Sequence, residues 1–354
     1  MKHFSHLNTA VQLIEQYKGE LPFSVFIKSF FAQHKKFGSK DRKAISNFCY
    51  SFFRLGHALR SIPVEERILI ASFLCNQLPA ELLKPGWRSE ANIDEKISMF
   101  PFSLQDIFPW KDLLSDGIDH EQLCRSFLIQ PDLFLRLRPG HEDIVKQKLT
   151  GFNEISPTCL ALPNASKIDI ELDKEAVVQD RNSQLTIKEV NGNVWDCCAA
   201  SGGKSILAYD LDPSIHLTVS DVRESIIHNL KKRFARAGIK NYRAFIADIS
   251  KNIIHEKFDT IICDAPCSGS GTWSRTPEQL YFFHPSKIDH YSTLQRKIIA
   301  NAIRSLKPGG KFIYITCSVF KQENEDIAVS MQKEVLKGYD KKADSLFVAV
   351  KTND

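Results

Sequence analysis

From about residue 176 to the end, short β-branched or apolar runs alternate with longer segments of helical period. That alternation leaves few folds open. Strands are predicted over 194–197, 217–220, 243–246, 260–263, 311–316 and 346–350, and helices over 204–209, 223–237, 295–306 and 323–335. Lys307-Pro308-Gly309-Gly310 reads as a helix stop and turn before the 311 strand. Strands and helices in this order predict an α/β fold with a doubly wound, Rossmann-like parallel sheet. In such a sheet, ligands sit outside the carboxyl ends of the strands.

The first 175 residues differ. Residues 1–125 show helical periodicity and no strand pattern, as in Ile45, Phe48, Cys49, Phe52 and Phe53, so an all-α domain is expected, with Ser39 capping a helix over 42–59. The aromatic residues there suit a core better than a stacking platform. Residues 126–175 predict a small α+β connector, with strands at 133–137 and 159–162 and a helix at 141–149; Arg136 and Arg138 add positive charge to it. Three parts are therefore expected: 1–125, 126–175 and 176–354. Residues 1–60 hold ten Lys or Arg against three Asp or Glu, among them Lys35, Lys36, Lys40, Arg42, Lys43, Arg54 and Arg60. Such a segment suits a phosphate backbone as well as it suits a solvated helix face.

Two stretches follow predicted strands and carry thiols. Asp264-Ala265-Pro266-Cys267-Ser268-Gly269-Ser270-Gly271-Thr272 follows the 260 strand, and Thr316-Cys317-Ser318 follows the 311 strand. Both cysteines could therefore converge on one edge of one sheet. A third stretch, Asp196-Cys197-Cys198-Ala199-Ala200-Ser201-Gly202-Gly203-Lys204, follows the first strand and opens a helix. It lacks a glycine where a P-loop needs one, at Cys198, and it is not GxGxxG. Asp221 and Asp248 end the next two strands, placed to meet ribose hydroxyls and an adenine amino group. Small residues at a helix start, followed by two strand-end acids, fit S-adenosylmethionine: an adenosine without phosphates, and a carboxylate for the helix terminus.

Asp-Xaa-Cys-Ala-Ala-(Pro)-Gly-Gly-Lys, Asp-Ala-Pro-Cys-Ser-Gly-Ser-Gly-Thr and Thr-Cys-Ser with a following Asn-Glu resemble the Sun/RsmB/Nop family of RNA 5-methylcytosine methyltransferases. The likeness spans about residues 125–354 and includes 178–184 and 275–278. The helical N-terminus, through Ser39-Lys40-Asp41-Arg42 and Phe53-Arg54-Leu55-Gly56, resembles the NusB-type RNA-binding domain. The resemblance implies Cys317 as nucleophile and Cys267 as an aid to product release. It also implies Cys198, Ala199, Ala200, Ser201, Gly202, Gly203, Lys204, Asp221, Asp248 and Asp264 as the S-adenosylmethionine site. Ser201 stands where the family has proline, and a serine at a helix start can cap it. Asp264, protonated or hydrogen-bonded to the base edge, is expected to stabilise charge at ring nitrogen 3.

The expected activity is methylation of cytosine carbon 5 in structured RNA, ribosomal RNA first and transfer RNA as the alternative. A non-catalytic RNA-binding ribosome-assembly factor is the rival of a different class, and it would need neither cysteine. An amino-group methyltransferase would call for an Asn/Asp-Pro-Pro-aromatic loop, which Asp264-Ala265-Pro266-Cys267 does not supply. Nine unevenly spaced cysteines do not read as a disulfide framework, and the N-terminus shows no signal-peptide pattern, so a reducing cytoplasm is expected. A monomer is expected, without a metal and without a membrane span.

Overall fold

The computed structural model describes residues 2–353. The chain divides into two compact units. One comprises the chain up to Leu114, Asp119–Gln130 and Thr272–His284; the other comprises Ser115–Ile118, Pro131–Gly271 and Pro285 to the end.

The first unit is helical: Lys2–Gln16, Phe23–Gln33, Ser39–Arg54, Val64–Leu74, Ile93–Ile97, His120–Phe127 and the short Pro277–Tyr281. Its core gathers Leu7, Leu13, Phe23, Ile45, Phe48, Phe52, Phe53 and Ile68, so the aromatic residues of the third helix are packing residues. Ser39 does not cap that helix. Gly38 holds the cap position, and Asp41 accepts from the Gly38 N–H at 3.0 Å. Arg54 leaves the set of basic surface candidates as well. It is buried and donates to the carbonyls of Phe127 and Ile129 at 2.8 and 3.0 Å. Lys35, Lys36, Lys40, Arg42 and Lys43 are exposed. Glu278, buried near the start of the short helix, accepts from the Phe23 N–H, and burial pushes its carboxyl up.

The second unit holds two sheets. β1 (Leu133–Leu137), β2 (Asn153–Ser156), β3 (Cys159–Leu162) and β4 (Ala176–Val178) form an antiparallel sheet in the order β2-β3-β1-β4. The segment predicted as a connector belongs to the same compact unit as the larger sheet. Charge explains why. Arg136 and Arg138 turn inward to Asp210 of the helix Gly203–Leu211, at 2.5 and 2.7 Å, and Arg138 also donates to the Ala237 carbonyl. These arginines are buried and do not add to a basic surface.

The larger sheet contains β5 (Asn193–Asp196), β6 (His216–Asp221), β7 (Tyr242–Ile246), β8 (Phe258–Asp264), β9 (Leu306–Thr316), β10 (Gln332–Leu336) and β11 (Leu346–Thr352), in the order β10-β11-β9-β8-β5-β6-β7. β5 to β9 run parallel, whereas β10 and β11 pair antiparallel at one edge. The sheet is therefore mixed, not wholly parallel. The chain winds outward from β5 through β6 to β7, then returns to β8 and β9 on the other side of β5. The switch point lies between β5 and β8, where an open α/β sheet forms its ligand crevice.

The predicted helix over 323–335 does not form. A single 3-10 turn, Lys321–Glu323, is followed by irregular chain and then β10. Two side chains break the helix. Glu323 is drawn inward, and Asn324 leaves helical backbone (φ −115°, ψ −94°) to bond Thr316, Ser318 and Ser115. The helix predicted at 295–306 begins earlier, at Ser286, and ends at Ala302. Among the described residues, no helix is long and apolar enough to cross a membrane.

Candidate active site

β8 and β9 are parallel neighbours with Asp264 opposite Ile315, so their carboxyl ends lie side by side. Cys267 comes three residues after β8 and Cys317 one residue after β9. The Sγ atoms lie 3.4 Å apart, close enough for one thiol to donate to the other sulfur. Both residues are half-buried. The hydrogen bond with Cys317, together with burial, pushes the Cys267 thiol well up from its ordinary range, so Cys267 is held as a neutral thiol.

The two loops are clamped together. Glu323, fully buried, accepts from the Ser268 N–H at 2.7 Å and the Ser268 hydroxyl at 2.5 Å, and from the Ser318 hydroxyl. Each serine directly follows one of the cysteines. Burial pushes the Glu323 carboxyl up, and the serine hydrogen bonds oppose that. The Gly271 N–H donates to the Cys317 carbonyl at 2.8 Å. A Cβ at Gly271 would stand 1.9 Å from the Ser345 carbonyl oxygen, so only glycine lets the strands of chain approach this closely. Gln295 donates to the Pro266 carbonyl at 2.9 Å. Sequence reading missed Glu323, because a glutamate in a predicted helix resembles a surface residue. The signal lay in its place shortly after Thr316-Cys317-Ser318.

Asp264, at the end of β8, accepts from Lys204 Nζ at 2.7 Å. Burial disfavours the Lys204 ammonium, but the adjoining carboxylate outweighs it and the pKa is raised. This pair spans the switch point. Residues 197–202 form the loop between β5 and the helix Gly203–Leu211, and Gly203 and Lys204 open that helix. The Ala199 N–H donates to the Ser220 carbonyl and the Ala200 N–H to Asp221, at 2.9 and 3.1 Å. Gly202 caps the helix with φ +85°, and a Cβ there would stand 2.8 Å from the Phe234 ring. Ser201 is not the cap; its hydroxyl and carbonyl accept from Arg233 at 3.0 Å.

The acids at the ends of β5, β6 and β7 differ in state. Asp196 is 1% exposed; its Oδ2 accepts from Ser205 at 2.6 Å, and its Oδ1 is buried without a partner. Burial pushes this carboxyl up to about 7. Asp221 is buried and bound by the Arg223 guanidinium at 2.9 and 3.1 Å. Asp248 closes a local turn on Ser250 and pairs with Lys251 at 3.0 Å.

Residues 184–345 match the family described as 16S rRNA methyltransferase RsmB/F. This part of the chain is similar to the methyltransferase domain of that family. The chain is 34% identical over 174 residues to ribosomal RNA small subunit methyltransferase B of Shewanella oneidensis, across 47% of this chain and 41% of the relative. It is 31% identical over 166 residues to ribosomal RNA small subunit methyltransferase F of Pectobacterium carotovorum, across 44% and 34%. It thus spans less than half the length of these curated relatives. In fold, the protein PH0851 superposes with a TM-score of 0.68 at 21% identity, covering 99% of this chain and 98% of that one. A methyltransferase homologue from Pyrococcus horikoshii superposes at 0.57 and 20%, covering 68% and 92%.

RsmB/F domains use S-adenosylmethionine. The residues at the β5–β7 ends fit that donor: a buried carboxylate oxygen without a partner, a loop of small residues and a helix start lie together there.

Proposed function

We propose that the chain is an S-adenosylmethionine-dependent RNA methyltransferase acting on carbon 5 of a cytosine in structured RNA, ribosomal RNA first. The observation that carries this is the pair of sulfurs 3.4 Å apart at adjacent strand ends. A binding module or a scaffold has no use for two such thiols.

Carbon 5 of cytosine is a poor nucleophile. The Cys317 thiolate adds to carbon 6 and makes carbon 5 enamine-like. The bound donor supplies an electrophilic methyl group to that carbon. Charge gained by the ring falls toward nitrogen 3, where the Lys204–Asp264 pair offers an ammonium and a carboxylate acceptor. Cys267, as a thiol, gives its proton to the departing Cys317 sulfur and takes the proton of carbon 5. The target base must leave its stack, at a cost of about a few kcal/mol in a duplex and less in a loop. The exposed lysines of the helical unit suit the RNA backbone. Comparing bisulfite sequencing of total RNA with and without the gene tests this. One cytosine signal lost with the gene names the target, and no lost signal returns weight to the assembly factor.

Asp221 is assigned to the ribose hydroxyls and Asp248 to the adenine. Asp221→Ala is expected to weaken S-adenosylmethionine binding about 100-fold, the scale of two lost hydrogen bonds to a charged group. Arg223 must leave Asp221 for a ribose to bind. Its side chain is 57% exposed and its ion pair is worth little. Arg223→Ala should therefore tighten binding by no more than about fivefold. Calorimetric titration reads both.

Glu323 acts as a positioning residue for the two cysteine loops. Glu323→Gln leaves one serine donor without its acceptor and is expected to lower kcat by about 10- to 100-fold, because small displacements at reacting atoms are costly. The dissociation constant for S-adenosylmethionine should stay unchanged. A merely structural role would move both, so steady-state kinetics beside equilibrium binding separates them.

A further inference from the structure

Three more sulfurs converge at the switch point. Cys197 and Cys198 directly follow β5, and Cys263 is the penultimate residue of β8. β5 and β8 are hydrogen-bonded neighbours, and the Cys197 N–H donates to the Ile262 carbonyl at 2.9 Å. Sequence spacing hides the group, because the third cysteine comes from another strand. The three Sγ atoms lie within 4.8 Å of one another. Cys197 and Cys263 are 1% and 0% exposed, while Cys198 is half-buried and leaves a way in.

Buried cysteines usually serve as small apolar side chains, and a trio does not by itself exclude that. Geometry and chemistry favour a ligand set. Sulfurs bound to one ion at about 2.3 Å stand about 4 Å apart, so only a small closure is needed. Zinc asks for four ligands. Among the described residues the group offers three thiols and no fourth cysteine or histidine; Asp264 is engaged by Lys204, and Asp196 by Ser205 through Oδ2, with Oδ1 left unpaired. Thiolate ligands suit soft ions, and Cu(I) is the one that three sulfurs alone satisfy in a trigonal plane. We infer that Cys197, Cys198 and Cys263 form a three-sulfur site for Cu(I). Cys198 also belongs to the loop assigned to S-adenosylmethionine, but copper retention is read without methyl transfer, so the two readings can fail separately. Loading releases thiol protons and ties the end of β5 to the end of β8.

The test uses the full chain, reduced and free of oxygen, titrated with Cu(I) against bathocuproine disulfonate as a coloured competitor. Cys267 and Cys317 could also take copper, so Cys267→Ser/Cys317→Ser is the reference protein. It is expected to withhold one equivalent. Adding Cys263→Ala or, separately, Cys198→Ser to that protein should weaken retention at least tenfold. Circular dichroism and a cooperative melt establish that each variant is folded, and the half-buried Cys198 position guards against a failure of the core variant. The inference is overturned if the reference protein withholds no copper, or if the folded Cys263 and Cys198 variants withhold as much as it does.

Discussion

Cys317→Ala is expected to remove methyl transfer, lowering turnover by about 10⁴-fold or more, as loss of a covalent nucleophile does in other enzymes. On the proposed mechanism the chemistry has no alternative route. Without a sulfur on carbon 6, carbon 5 does not attack the donor, and the second cysteine cannot substitute. With the Cys317 hydrogen bond gone, burial and the nearby Glu323 still disfavour a Cys267 thiolate, and on the proposed mechanism its loop meets the base from the end of β8. The substitution removes one half-buried sulfur. It leaves the backbone ties intact, including the bond from the Gly271 N–H to the Cys317 carbonyl. S-adenosylmethionine should therefore bind within about twofold of the native affinity, since uniform binding is untouched. Incorporation of labelled methyl groups into RNA, beside equilibrium binding of the donor, reads both halves.

Cys267→Ala is expected to fail later. On the proposed mechanism the nucleophile remains, so addition and methyl transfer should proceed once. What is lost is the relay that carries the proton from carbon 5 to the departing Cys317 sulfur, 3.4 Å away. General acid–base steps are worth about 10²- to 10⁴-fold, and turnover should fall by that amount after a burst of one methyl group per enzyme. The stalled species is RNA joined to protein through Cys317. It should appear as a slow-migrating band on a denaturing gel, and Cys317→Ala in the same chain should abolish it. Normal turnover by Cys267→Ala would remove the relay from the account.

The sheet was legible in the sequence because its strands are short, apolar and followed by small residues or acids. Each of 194–197, 217–220, 243–246, 260–263, 311–316 and 346–350 lies at or within a residue of an observed strand. β10 was not legible. Its run Gln332-Lys333-Glu334-Val335-Leu336 is mostly charged or polar, and it forms a strand through pairing with β11. Local pattern carries no trace of that partner. The same limit hid Arg54, Arg136 and Arg138. A sequence shows a charge but not the carbonyls or the Asp210 carboxylate that draw it inward. The convergence of Cys267 and Cys317 was readable from their positions just past two strands. The Glu323 clamp was not, because it depends on the tertiary approach of Ser268 and Ser318.

In the proposed mechanism a single cytosine is shared by both sulfurs, with Cys317 making the bond. RNA transcribed with 5-fluorocytidine cannot lose a proton from carbon 5, so a turnover begun on it stays covalent. After incubation with S-adenosylmethionine and digestion, mass spectrometry should find the methylated, fluorinated nucleotide on the peptide that contains Cys317. Attachment through Cys267, or no attachment while the ordinary RNA is methylated, would contradict it.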